Sequence, residues 1–347
     1  MTSILDYTLP ELEAYFKEIG ESSFRAKQIY DWIYDKRVFS FSEMTNLSVA
    51  LREKLEQNFS LKLPEIIEQR VAKDGTIKLL LKMEDGSKVE TALMPYDYGN
   101  AICVSSEVGC SMGCAFCASG LFRKVRGLEV HELLGQVLVM DQILDERGED
   151  RVNHIVIMGT GEPFDNYDNC LKFLKITNDP KALNIGARHL TISTCGLTEG
   201  ILRYKDEKLP LNLAISLHAP NDEKRKQIMP IARKISLDEL LSALKEYQKV
   251  AGRRITIEYI LIKDLNDSIE DAIELTKLLK DIFCYVNLIP INPVTEKNFM
   301  RPSNNQVHRF RDALNERGLK ATIRKEFGTD IEAACGQLRA KYERIKA

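Results

Sequence analysis

Residues Cys110–Cys117 read CSMGCAFC, three cysteines in the spacing C-x3-C-x2-C. They follow AICVSS (101–106), a short apolar run with the length and composition of a buried strand. Positions i, i+4 and i+7 would share one helix face, and free cysteine buries well. The neighbours argue for a loop instead: Gly109, Gly113, Gly120, Ser111 and Ser119 are poor helix formers. A structural zinc site needs a fourth ligand, and no second C-x2-C pair or nearby histidine supplies one in a familiar spacing. Ferredoxin-type ligation also takes four thiolates. Three thiolates would leave one iron of a [4Fe–4S] cluster without a protein ligand, a position where a substrate or cofactor can bind.

Outward from this loop the chain alternates. Strands are expected at AICVSS, HIVIMG (154–159), HLTIST (189–194), NLAISLH (212–218), ITIEYILI (255–262), YVNLIPI (285–291) and KATIRKE (320–326). Helical stretches separate most of them, including 130–144, 236–250 and 268–282. The pattern predicts an α/β fold of parallel βα units, either an open wound sheet or a partial barrel. Both collect chemistry at the carboxyl ends of the strands. The unusual residues fall there: the cysteine triplet, GTGEP (159–163), TCG (194–196), HAP (218–220) and NP (292–293). Upstream, helices are expected over 9–20, 22–36 and 48–59. A hairpin follows, TIKLLLKM (76–83) and KVETALM (88–94), turning at Asp85-Gly86. The expected divisions are a helical unit at 1–62, a β-hairpin extension at 63–95 and a βα core at 96–347.

Composition sets the class. The 347 residues are 44% hydrophobic and 29% charged, a soluble globular balance with enough chain for a sizeable core. Eight cysteines are far too sparse for a disulfide scaffold. The first 20 residues carry four acidic side chains and no basic-apolar leader pattern. No apolar run approaches the roughly 20 residues needed to span a bilayer. A cytoplasmic protein with no membrane association is expected, and there clustered cysteines mean metal or redox chemistry. The net charge of −2 hides an asymmetry: residues 221–347 hold 24 Lys+Arg against 19 Asp+Glu. Basic clusters at Arg123–Arg126, Lys224–Lys226, Arg253–Arg254 and the C-terminal tail suit either phosphate contact or a solvated surface.

The triplet resembles the cluster loop of the radical S-adenosylmethionine (SAM) enzymes, and GTGEP, TIST, SLH and INP resemble that superfamily's further SAM-contacting strand ends. The resemblance extends along nearly the whole chain. FRAKQIYDWIY (24–34), VET (89–91) before CVSS, and DIEAACGQL (330–338) are similar to the RlmN/Cfr family of RNA adenine methyltransferases. It implies a partial (β/α)6 radical SAM barrel with an N-terminal RNA-binding accessory domain. It implies Cys110, Cys114 and Cys117 as ligands of a [4Fe–4S] cluster. It also implies two SAM molecules per turnover, contacted by Gly161, Glu162, Ser193, Ser216, Leu217, His218 and Asn292. One departure is Thr160, where members of the family often carry Met.

The implied chemistry uses two more cysteines. Cys335 takes a methyl group from one SAM, and a 5′-deoxyadenosyl radical from a second SAM abstracts hydrogen from it. The thiomethylene radical adds to adenine, and Cys103 releases the product by forming a disulfide with Cys335. Glu90, thirteen residues before Cys103, is implied as the base. Read without the resemblance, Glu90 is an exposed strand carboxylate, and Cys170, Cys195 and Cys284 are buried small hydrophobes. Pro163 and NLIPINP (287–293) favour RlmN-type C2 chemistry over the Cfr-type C8 alternative. The implied substrates are adenosine 2503 of 23S rRNA and adenosine 37 of tRNAs, with a flavodoxin-type electron donor and a monomeric enzyme. A non-enzymatic, metal-stabilised RNA-binding protein is the competing reading; it assigns Cys335 no chemistry.

Overall fold

The structure, a computed structural model, describes residues 1–207, 210–292 and 298–331. Three helices open the chain: α1 (Leu9–Glu18), α2 (Phe24–Tyr30) and α3 (Val49–Asn58). Thr8 and Glu11 form a capping box at α1, with the Thr8 N–H donating to Glu11 Oε2 at 2.7 Å. Leu12, Phe16, Ile29 and Leu55 bury the apolar faces against one another. Thr2–Ser3 pairs in parallel with Phe59–Ser60 and closes this unit. The helix expected over 22–36 widens into a π turn at Asp31–Asp35 after α2.

Ten strands follow in one sheet whose spatial order equals chain order: β1 (Glu65–Val71), β2 (Ile77–Lys82), β3 (Lys88–Tyr96), β4 (Gly99–Cys103), β5 (Val152–Ile157), β6 (Leu190–Thr194), β7 (Asn212–Ser216), β8 (Ile255–Leu261), β9 (Cys284–Pro290) and β10 (Ala321–Ile323). The first four run antiparallel, and from β4 onward every neighbour is parallel. Gly86 at φ +84° makes the β2–β3 turn. The strands of the 63–95 stretch therefore continue the core sheet from its antiparallel edge.

Helices make the parallel crossovers: α4 (Val130–Glu146), α5 (Tyr167–Asn178), α6 (Thr198–Asp206), α7 (Asp222–Ile228) with α8 (Leu237–Ala251), α9 (Ile269–Leu278) and α10 (Asn304–Glu316). Strands β4 to β9, each followed by a helix, supply six βα units of an unclosed barrel. These are the parallel βα units that the alternation predicted, in the partial six-unit barrel that the resemblance implied. In α8 the apolar stripe is Leu237, Leu240, Ala243, Leu244 and Tyr247. Ser236 caps α8 and Gly252, at φ +60°, ends it. The helical unit leans on α4, where the Asp6 carboxylate accepts from the His131 backbone N–H at 2.8 Å.

The last strand is shorter than the sequence pattern predicted. It stops at Ile323, although the Arg324 N–H still donates to the Leu288 carbonyl at 2.8 Å, and Arg324, Lys325, Glu326 and Phe327 form a wall of a cavity.

Candidate active site

The carboxyl ends of the parallel strands surround a cavity of about 330 Å³. Cys110, Cys114 and Cys117 line one side of it. Their loop is stapled at its base by the antiparallel pairing of Glu107–Val108 with Arg126–Gly127. The Cys110 N–H donates to the Phe122 carbonyl at 2.9 Å, and the Ala115 N–H to the Ile228 carbonyl at 2.8 Å. Gly109 and Gly113 take φ of +79° and +63°, which is why the loop carries glycine at these points.

Burial raises the Cys110 thiol to about 11, with Glu107 and Cys117 charge adding to the effect. Burial pushes Cys114 upward too, and the other two loop thiolates add to it. A cationic centre would reverse both effects by taking the sulfurs as thiolates. Among the described residues, no group of three or more His, Cys, Asp or Glu side chains is arranged around a single metal ion. Three thiols from one loop on a shared cavity wall are the kind of donor set a [4Fe–4S] cluster takes, one thiolate to an iron.

GTGEP packs directly behind this loop. The Thr160 N–H donates to Ser105 Oγ at 2.9 Å, and the Ser106 N–H donates to the Thr160 carbonyl at 2.8 Å. The Thr160 hydroxyl lies 3.1 Å from that of Ser119, just beyond the third loop cysteine. The departure from Met is thus absorbed by a local hydroxyl pair. Gly161 has φ +114°, and a Cβ there would lie 2.5 Å from Ser106 Oγ and 2.6 Å from Glu107 Cγ. Glu162 is buried; Oε2 accepts from the Cys195 N–H at 2.7 Å and Oε1 from the Phe164 N–H at 3.1 Å. Burial raises its carboxyl above the usual range, partly offset by those hydrogen bonds. It lines the cavity, where a carboxylate is a natural partner for an ammonium.

Ser193, Ser216, His218 and Asn292 also line the cavity. Leu217 does not: its side chain is buried in the main hydrophobic core, and only its backbone stays near the strand end. Strand alternation explains this, since residues on either side of a cavity-facing position point to the opposite face. His218 sits at φ +62°, with its ring edge-on to Phe116 at 4.9 Å. Its Nδ1 accepts from the Ile260 N–H at 3.1 Å, so in the neutral ring Nε2 carries the proton. Burial, helped by Arg225, lowers its pKa to about 3 and keeps it neutral.

Cys103, the last residue of β4, is buried and lines the cavity. It pairs across the sheet with Ala92, which also lines the cavity. Glu90 lies two residues before Ala92 and so points to the same face. It is 5% exposed, and its Oε2 is 2.9 Å from the Lys78 ammonium. The exposed-strand reading of Glu90 therefore fails. Cys335 lies outside the described residues. Among the described residues that lead toward it, Arg324–Phe327 line the cavity wall, and Phe327 packs against the cluster of Met94, Ala101 and Cys103.

Several residues of this site escaped the sequence reading. Glu258 is a buried carboxylate on β8 facing the cavity, hydrogen-bonded by Asn287 Nδ2 at 2.9 Å. A charged residue inside the apolar run ITIEYILI was its available signal. Arg225 comes from a basic cluster that suited either phosphate contact or a solvated surface, yet it is fully buried. Its guanidinium donates to the Cys195 carbonyl at 2.7 Å and the Leu217 carbonyl at 3.2 Å. Lys124 and Arg126 are likewise paired within the molecule, with Glu107 and Asp165, and with Glu132 and Asp85. Cys195 lines the cavity instead of merely filling core.

Comparison with known proteins agrees with this geometry. The family description "Ribosomal RNA large subunit methyltransferase N-terminal domain" matches residues 2–61, and "Radical SAM superfamily" matches residues 104–276. A probable dual-specificity RNA methyltransferase RlmN of Clostridium perfringens is 51% identical, covering 100% of this chain and 99% of that protein. One of Lysinibacillus sphaericus is 52% identical over 98% of this chain and 89% of its own length. The crystal structure of a radical SAM methyltransferase from Sphaerobacter thermophilus superposes with a TM-score of 0.93 at 40% identity, covering 97% of this chain and 99% of that one.

Proposed function

The chain belongs to the RlmN family of radical SAM RNA methyltransferases, and we propose that it methylates C2 of adenosine, at position 2503 of 23S rRNA and position 37 of tRNAs. The observation that carries this reading is the meeting of Cys103 and the three loop cysteines on one cavity. Cys195 reaches the same cavity, but Cys103 stands apart from it by ending β4 opposite Ala92, on the sheet face that also carries Glu90.

Cys110, Cys114 and Cys117 would hold a [4Fe–4S] cluster, and Gly161–Glu162 the amino end of SAM, with Ser193, Ser216, His218 and Asn292 along the rest of the cofactor. When bound, cluster and SAM supply a 5′-deoxyadenosyl radical, given an electron from a flavodoxin-type donor. Adenine C2 is an electron-poor carbon between two ring nitrogens, so it is no nucleophile toward a sulfonium methyl group. The chain answers with a methyl group carried on the Cys335 sulfur. Joining that carbon to C2 would cost the methyl group one hydrogen atom, taken by the 5′-deoxyadenosyl radical, and the adduct one electron, returned to the cluster, while Glu90 would take the C2 proton. The Cys103 thiolate then attacks the Cys335 sulfur. A disulfide forms, the carbon–sulfur bond breaks, and the released carbon takes a proton to become the methyl group. The target base must leave its stack to reach this cavity. Among the described residues no helix is long and apolar enough to cross a membrane; a cytoplasmic monomer acting on RNA is part of the proposal.

The test is nucleoside analysis of rRNA and tRNA incubated with reduced, reconstituted enzyme and SAM. 2-Methyladenosine is expected. The 8-methyl isomer would assign the chemistry to the Cfr type, and no methylated adenosine would return the chain to a binding role. Cys335→Ala should abolish product. Cys103→Ala should stall as a covalent protein–RNA adduct.

A further inference from the structure

We propose that Lys78 is a positioning residue for this reaction, holding the Glu90 carboxylate against the cavity face of the sheet beside Cys103. The inference rests on the reading of Glu90 as the base and adds a residue to it.

The geometry begins with register. Lys78 on β2 is opposite Ala92, and Glu90 is the diagonal neighbour two residues before Ala92 on β3. Thr76, two residues before Lys78 and on the same face, lines the cavity, as do Ala92 and Cys103. Lys78 thus approaches Glu90 from the strand farther from Cys103. It touches Oε2 at 2.9 Å with only 1% of its side chain exposed. The backbone of Glu90 is fixed from behind: the Ser105 hydroxyl donates to its carbonyl at 2.6 Å, and Gln136 clamps the Ser105 backbone at 2.9 and 3.0 Å.

Stability does not account for this pair. Two buried charges lose their hydration, and a well-packed apolar pair of similar volume is often as stable or more so. Other buried carboxylates in the molecule, Glu107 and Asp271, pair with lysines that retain 21% and 30% exposure. Sinking a lysine to 1% exposure beside a carboxylate on the reaction face makes sense when the carboxylate must stay put. A carboxylate alone has free rotation about its last torsion and tends to turn toward water. An ammonium on one oxygen restrains that rotation.

The test uses the reconstituted holoenzyme and an RNA stem-loop substrate, comparing Lys78→Met, Lys78→Arg and Glu90→Gln. Methyl product is measured under single turnover, and covalent protein–RNA adduct by denaturing gel and mass spectrometry. Lys78→Met should lower the turnover rate by about tenfold or more with KM for RNA within about twofold, and should accumulate the same adduct as Glu90→Gln. Lys78→Arg should recover most of the rate. The double variant should be no slower than Glu90→Gln alone. A normal rate in Lys78→Met, or a loss carried by KM without adduct, overturns the proposal. Should Lys78→Met fail to fold, Lys78→Gln replaces it, and a Gln variant as fast as the Arg variant also overturns it. Normal methylation by Glu90→Gln would instead remove the base reading itself.

Discussion

The Asp74 carboxylate accepts a 2.9 Å hydrogen bond from the Gly328 backbone N–H, joining the β1–β2 turn to the segment that leaves β10. The Lys73 N–H returns the contact to Asp330 at 3.2 Å. Burial works against the Asp74 charge, but hydrogen bonds from Gly328 and Thr76 hold its carboxyl below the usual range. Cys335 lies five residues beyond Asp330. Asp74→Ala should therefore slow methyl transfer about fivefold, the equivalent of about 1 kcal/mol for a solvent-exposed charged hydrogen bond. Iron content should not change, and amide exchange at Gly328 should accelerate. Asp74→Asn, which keeps one acceptor, should fall between. Unchanged exchange at Gly328 would count against the clasp.

Gly161 tolerates no side chain. Its φ of +114° disfavours any L residue, and a Cβ would collide with Ser106 and Glu107. Gly161→Ala should cost about 2 kcal/mol or more in stability. SAM binding, followed by the spectral response of the reconstituted cluster, should weaken by at least about tenfold because Glu162 is displaced with the backbone.

Asp141 on α4 accepts from the Val152 N–H at 2.9 Å, yet burial raises its pKa to about 6. A carboxyl whose folded pKa is raised adds stability at low pH and loses it as pH climbs from about 4 through about 6. Asp141→Asn keeps the acceptor without the charge. It should melt higher than the parent at pH 8, by the equivalent of about 2 kcal/mol, and the gain should vanish near pH 4. Equal melting temperatures at both pH values would refute this account.

Arg225 joins the carbonyls of Cys195 and Leu217, at the ends of two adjacent strands. Arg225→Met should leave both acceptors buried without partners, at about 1–3 kcal/mol each. A fall in melting temperature of about 5 °C or more is expected. Loss of RNA affinity with unchanged melting would instead restore the surface role suggested by its sequence context.

Periodicity settled the parallel βα units, and the resemblance chose a partial barrel over an open wound sheet. Alternating apolar runs and amphipathic helices from residue 100 onward can bury themselves in few ways, and parallel βα units are the main one. The cysteine spacing was equally legible, because a loop rich in glycine and serine has no structural need for three thiols. What sequence distance hid was pairing across strands. The partnership of Lys78 with Glu90 depends on the β2–β3 register, which put a carboxylate expected in water on the closed face of the sheet. Arg225 reads as a surface charge until α7 folds it beneath the strand ends. Leu217 sits among cavity residues in sequence yet faces the core, because a strand sends neighbours to opposite sides. The local code thus determined which elements form and which residue types collect at the strand ends. Only the tertiary structure decided which charges meet, since that depends on contacts between residues far apart in the chain.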